Sequence, residues 1–216
     1  MPEDGCYLIY TTLMRSLLAA LAAALALAAP ALALERVIVA FGDSLTAGLG
    51  VAPEDSYPAR LQARLRSEGY AYRVVNAGAS GDTTAGGLRR VDWALKSRPD
   101  IVIVALGAND AMRGQSLAAV GANLDAIVAR FQKAGARVLV AGMEVPPNYG
   151  ARYAAEFRRL YVDVARKRGT AFMPFLLDGV AGDPRFNQPD GIHPTAEGYR
   201  VVVKHLWPVL QPLLAR

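Results

Sequence analysis

Val37-Ile38-Val39-Ala40-Phe41 runs without interruption into Gly42-Asp43-Ser44-Leu45-Thr46-Ala47-Gly48, so an apolar, β-branched stretch meets a glycine-bounded turn that carries a hydroxyl. A near-continuous apolar run, unlike an alternating one, marks a strand buried on both faces, as in a parallel sheet covered by helices. Outward from it, runs of the same kind recur as Tyr72-Arg73-Val74-Val75, Ile101-Val102-Ile103-Val104-Ala105-Leu106, Val138-Leu139-Val140-Ala141 and Ala171-Phe172-Met173, and all read as buried strands. Between them, helical spacing of apolar residues predicts helices at about 57–68, 84–97, 116–134 and 151–168. A last helix begins after Pro194 and carries Tyr199, Val202, Val203 and Leu206 on one face. Strand and helix in alternation predict a three-layer α/β/α sandwich with a mainly parallel central sheet and right-handed crossovers, its ligand crevice at the carboxyl ends of the strands.

Ahead of that domain, Met14-Arg15 is followed by Ser16-Leu17-Leu18 and an Ala/Leu run that closes on Ala29-Pro30-Ala31-Leu32-Ala33. A short positive region, an apolar core and small residues at the cleavage positions are the marks of a signal peptide. Residues 1–33 are therefore expected to be a cleaved leader, and 34–216 the folded domain. Glu3 and Asp4 do not suit the positive region, which makes Met14 the expected start. The apolar run is shorter than the roughly 20 residues of a spanning helix. A periplasmic or secreted protein is the expectation.

At 53% hydrophobic and 20% charged, 216 residues suit one compact domain with a core large enough to fold without a metal or disulfide. The single cysteine, Cys6, lies in the leader. The chain carries a net charge of +5, and losing Arg15, Glu3 and Asp4 leaves the rest slightly more basic. Arg89, Arg90, Arg152, Arg158, Arg159, Arg166, Lys167 and Arg168 scatter over predicted helices with no aromatic interleaving or groove-reading helix, so they are expected on solvated faces. Nucleic acid is not an expected partner; weak attraction to anionic lipid surfaces is the lesser alternative to plain solvated faces. A monomer is expected.

Ser44 falls at the carboxyl end of the first strand, inside the predicted crevice. A neutral hydroxyl needs an adjacent base, and the base an orienting partner. Beyond the leader the histidines are His193 and His205. His193 stands in Asp190-Gly191-Ile192-His193-Pro194, a glycine-containing turn with a carboxylate three residues upstream; an ordinary Asx-type turn capping a helix explains that pair equally well. His205, mid-helix beside Leu206 and Trp207, reads as structural. The sequence holds no HExxH, phosphate-binding loop or clean GxGxxG, so neither a metal nor a cofactor is expected.

Four blocks in order, Gly42-Asp43-Ser44-Leu45, Asn76-Ala77-Gly78-Ala79-Ser80-Gly81-Asp82-Thr83-Thr84, Gly107-Ala108-Asn109-Asp110 and Asp190-Gly191-Ile192-His193-Pro194, resemble those of the SGNH (GDSL) hydrolase superfamily. The resemblance covers nearly all of the expected domain. It is strongest to the bacterial periplasmic thioesterase I/lysophospholipase L1/arylesterase group, to which Val145-Pro146-Pro147-Asn148-Tyr149-Gly150-Ala151-Arg152-Tyr153 is also similar. It implies a flavodoxin-like fold, with Ser44 as nucleophile, His193 as general base and acid, and Asp190 holding the imidazole. It further implies an oxyanion hole made of the Ser44 and Gly81 backbone N–H groups and the Asn109 amide, with small esters, thioesters or lysophospholipids as substrates. A carbohydrate O-acetylesterase of the same superfamily and a non-catalytic periplasmic binding protein are the alternatives. An α/β-hydrolase is not, for Gly-x-Ser-x-Gly is missing and the serine follows the first strand. The loop Ala111-Met112-Arg113-Gly114-Gln115 is expected to help set acyl-chain preference.

Overall fold

The computed structural model describes residues 36–215; the expected leader and start, 1–33 with Met14, lie outside the described residues. Five strands, β1 (Arg36–Gly42), β2 (Tyr72–Gly78), β3 (Ile101–Ala105), β4 (Arg137–Ala141) and β5 (Ala171–Met173), form one sheet in the order β2-β1-β3-β4-β5. Every neighbouring pair is parallel. Helices α1 (Ser44–Ala47), α2 (Tyr57–Ser67), α3 (Thr84–Leu95), α4 (Ala108–Met112), α5 (Leu117–Lys133), α6 (Ala151–Arg168) and α7 (Ala196–Leu210) complete the described chain, with short 3-10 turns at Pro53–Asp55, Pro147–Tyr149 and Gln211–Leu213.

Helix α5 packs between α3 and α6, while α2 packs with α7, so the sheet has a helical layer on each face. This is the three-layer α/β/α sandwich that the alternation of strands and helices implies. Inside it, Ile38 through Phe41 and Ile101 through Leu106 are fully buried, which is why their runs carry no polar alternation. The two edge strands differ from the expectation of full burial: Val74 and Val75 on β2 are only half-buried, as are Ala171 and Phe172 on β5, because an edge strand lacks a neighbour on one side.

The chain runs from β1 outward to β2, then returns past β1 to β3, so the direction of winding reverses at β1. Open parallel sheets leave a crevice at such a reversal, beyond the carboxyl ends of the strands. Register keeps those ends level, with Gly42 opposite both Gly78 and Ala105. The loops after β1, β2 and β3 therefore emerge side by side. Each opens a helix: Asp43 accepts from the Leu45 N–H at the start of α1, and Thr83 accepts from the Gly86 N–H at the start of α3. After β3, Gly107 has φ of +121°, and a Cβ there would stand 2.1 Å from the Tyr161 hydroxyl, so only glycine lets the chain turn into α4.

Candidate active site

The crevice at this reversal is a cleft of about 230 Å³ lined by residues from all the expected blocks, among them Ser44, Gly81, Asn109 and His193. A larger groove of about 450 Å³ runs beside α6, lined by Arg158, Arg159, Arg166 and Glu144. It contains no nucleophile, and two of its arginines already face acids, Arg158 to Glu144 and Arg159 to Asp163. The smaller cleft is the one that gathers the expected site residues.

Ser44 opens α1, 8% exposed at the cleft floor. Its Oγ lies 2.8 Å from His193 Nε2, and His193 Nδ1 lies 2.7 Å from Asp190 Oδ2. Hydroxyl, imidazole and carboxylate thus form one hydrogen-bonded line between residues 149 positions apart. The two readings of Asp190 coexist: Oδ1 accepts from the Ile192 and His193 backbone N–H groups at 2.9 and 3.0 Å, forming the turn, while Oδ2 serves the ring. Capping α7 falls instead to Thr195, whose side chain accepts from the Gly198 N–H. Those two backbone bonds and the imidazole hold the Asp190 acid down at about 2.

The expected oxyanion donors border the same cleft. As the first residue of α1, Ser44 offers an N–H of the kind a helix leaves without an intrahelical partner. Gly81 has φ of +77°, which suits glycine, and its carbonyl accepts from Arg113 at 2.9 Å. Asn109 on α4 donates from Nδ2 to Asp43 Oδ2 at 3.3 Å. The loops carrying Gly81 and Asn109 are tied together by Asp110, whose carboxylate accepts from the Thr84 N–H at 2.8 Å and the Thr84 hydroxyl at 2.7 Å. Beneath them Tyr161 donates to the Leu106 carbonyl at 3.0 Å.

Asp43, Asp110 and Tyr161 are neighbours of the expected site that sequence reasoning did not assign, and Arg113, expected only as part of the 111–115 loop, reaches the Gly81 carbonyl. Asp43 and Asp110 stand inside the quoted blocks, and that was their only signal. Tyr161 and Thr84 are linked to the site across 55 and 26 residues, respectively, which no local spacing reveals. Arg90 is a correction: expected on a solvated face, it is largely enclosed at the ends of β1 and β2. The expected loop 111–115 begins as the last turn of α4, and Gln115 returns a backbone bond to Asp110 at 2.9 Å. His205 lies outside the cleft and is held by the Asp178 carbonyl at 2.9 Å. Among the described residues no group of three or more His, Cys, Asp or Glu side chains is placed to hold a metal ion.

The GDSL-like lipase/acylhydrolase family is matched over residues 40–201. Esterase TesA of Pseudomonas aeruginosa is 43% identical over 202 residues, covering 93% of this chain and 100% of that one. Thioesterase 1/protease 1/lysophospholipase L1 of Escherichia coli K12 is 34% identical over 82% of this chain and 84% of its own length. The crystal structure of TesA superposes with a TM-score of 0.81 at 43% identity, covering 83% of this chain and 100% of that one. Fold and relatives together define an ester-cleaving hydrolase of the SGNH type. The chain belongs to the GDSL-like lipase/acylhydrolase family.

Proposed function

We propose that Ser44 is the nucleophile of a hydrolase acting on carboxylic esters and thioesters with apolar acyl groups. His193 takes the Ser44 proton as Oγ attacks the carbonyl carbon, then returns it to the departing alcohol or thiol. Water, deprotonated by the same imidazole, attacks the acyl-enzyme and restores Ser44. Asp190 holds the ring with Nδ1 protonated and stabilises the imidazolium that forms. The Ser44 and Gly81 N–H groups and the Asn109 amide receive the negative charge on the carbonyl oxygen, a stabilisation worth about 3 kcal/mol per donor. No step calls on a cofactor.

The observation that carries this reading is the unbroken line from Asp190 through His193 to Ser44, with contacts of 2.7 and 2.8 Å. The acyl preference is supported by the cleft's rim. Leu49, Met112 and Ile192, which line it, are 46%, 44% and 42% exposed, and they come from three separate segments. Exposed apolar side chains gathered at one opening favour an apolar ligand over a carbohydrate.

The test is hydrolysis of p-nitrophenyl acetate through decanoate beside Ser44→Ala. The expected loss on substitution is about 10⁶-fold in kcat. An unreduced rate would reject the nucleophile; activity confined to acetylated polysaccharide would reject the acyl preference. Export is part of the proposal, on the strength of the leader at residues 1–33, with a mature monomer spanning 34–216. The amino-terminal sequence and solution mass of the exported protein test both.

A further inference from the structure

Arg90 lies on α3, yet its side chain is only 19% exposed and each of its three nitrogens meets a different acceptor. Nε donates to Asp82 Oδ2 at 2.6 Å, one terminal nitrogen to the Ala77 carbonyl at 2.6 Å, and the other to the Gly42 carbonyl at 2.7 Å. The guanidinium also stacks over the Phe41 ring, 4.0 Å from its centre. Gly42 stands two residues before Ser44, and Asp82 directly follows Gly81. One planar cation therefore ties the segment that carries Ser44 to the loop that carries Gly81.

The strands themselves do not require this tie. Gly42 and Gly78 are already in register, and the Ala79 N–H donates to the Gly42 carbonyl at 3.0 Å. Sheet pairing, however, ends at Gly78. Beyond that Ala79 bond, the loop as far as Asp82 is held by the Asp82 N–H on the Ala79 carbonyl, by Arg113 on the Gly81 carbonyl, and by Arg90 on the Asp82 carboxylate. Of these, Arg90 alone also grips β1, the strand that leads to the nucleophile.

We propose that Arg90 is a positioning residue for ester cleavage, fixing the distance between the Ser44 and Gly81 N–H groups so that both reach one oxyanion. This rests on the reading of those two groups as oxyanion donors. Such donors act when they stand about 2.7–3.1 Å from the developing charge, and a misplacement near 1 Å costs on the order of 10²-fold in rate. Lysine is not a substitute, since a single ammonium cannot reproduce a planar fork with three separate acceptors.

The test compares Arg90→Met, Arg90→Lys and the control Arg168→Met, which removes an arginine paired with Asp125 outside the cleft. kcat and KM for p-nitrophenyl butyrate are measured well below the melting temperature of each variant, together with the rate of fluorophosphonate labelling. Arg90→Met should lose roughly 10- to 100-fold in kcat, and similarly in labelling rate, with KM within about twofold. Arg90→Lys should fall between it and wild type. Arg168→Met should melt lower with its kcat kept. Wild-type kcat in Arg90→Met, or a loss expressed in KM alone, overturns the proposal; should that variant not fold, wild-type kcat in Arg90→Lys does so. A wild-type enzyme inert to both ester and fluorophosphonate strikes instead at the reading of Ser44, which keeps the two failures apart.

Discussion

Two carboxylates flank Ser44, one before it in the chain and one far after it, and their surroundings are opposite. Asp43 is 1% exposed, and burial pushes its acid up to about 6 against the pull of the Leu45 N–H, the nearby His193 and the Asn109 amide. The Asp190 side chain is 45% exposed, yet its acid is held at about 2. Asp43 takes its place from β1, buried from Val37 to Gly42, and holds an amide. Asp190 shapes its own surface turn and holds the imidazole. Hydrogen-bond donors fix the exposed turn around Asp190, whereas sheet burial fixes Asp43 and exacts a cost in charge.

The largest effect expected of that contrast lies at Asp190. Asp190→Asn keeps the oxygen that forms the turn but removes the charge and the correct partner for Nδ1, and kcat should fall about 10⁴-fold. Stability at neutral pH should scarcely move, because the group is exposed. Urea unfolding beside kcat tests both halves, and a mild kcat loss would break the comparison.

Asp43→Asn should act the other way round. An ionised carboxylate accepts only, so it obliges Asn109 to present nitrogen; an amide facing an amide lets the Asn109 oxygen turn toward the developing negative charge. The expected kcat loss is about 10²- to 10³-fold, as for removal of one oxyanion donor, and it should largely vanish in an Asn109→Ala background. Stability at pH 7 should rise by about 1–3 kcal/mol, since a buried charge is gone. Between about pH 4 and 6 the folded Asp43 keeps a proton that the unfolded chain has released, so its contribution to stability falls as pH rises through that window. The gain from Asp43→Asn should accordingly disappear below about pH 4. Asp190 runs oppositely: its contribution, small because the group is exposed, is present above about pH 4 and fades as pH falls toward 2. Unfolding free energies measured across pH would contradict this account if the Asp43 gain were independent of pH.

The smallest effect concerns the apolar rim of the cleft. Met112→Ser should raise KM for long acyl esters a few-fold relative to acetate, at about 0.8 kcal/mol for each methylene left in water. A chain-length profile unchanged by that substitution would remove Met112 from substrate contact.

The sequence made most of the fold legible because its central strands are buried on both faces and its longer helices run at least three turns. The expected helix at 151–168 coincides with Ala151–Arg168, and 116–134 with Leu117–Lys133 to within a residue at each end. Ser44–Ala47 and Ala108–Met112 escaped because helices of four and five residues are too short to show a period. Ser44, Asp190 and His193 could be singled out by residue type and by their place in turns. Arg90 could not, since two of its partners are backbone carbonyls 13 and 48 residues away, and carbonyls leave no mark in a sequence.

Fluorophosphonate labelling of the purified protein, followed by peptide mass spectrometry, bears most directly on the central claim that Ser44 is a nucleophile activated by His193. One adduct on the peptide containing Ser44, absent in Ser44→Ala and formed far more slowly in His193→Ala, is the predicted result. An adduct on another residue, or labelling in Ser44→Ala as fast as in wild type, would contradict it.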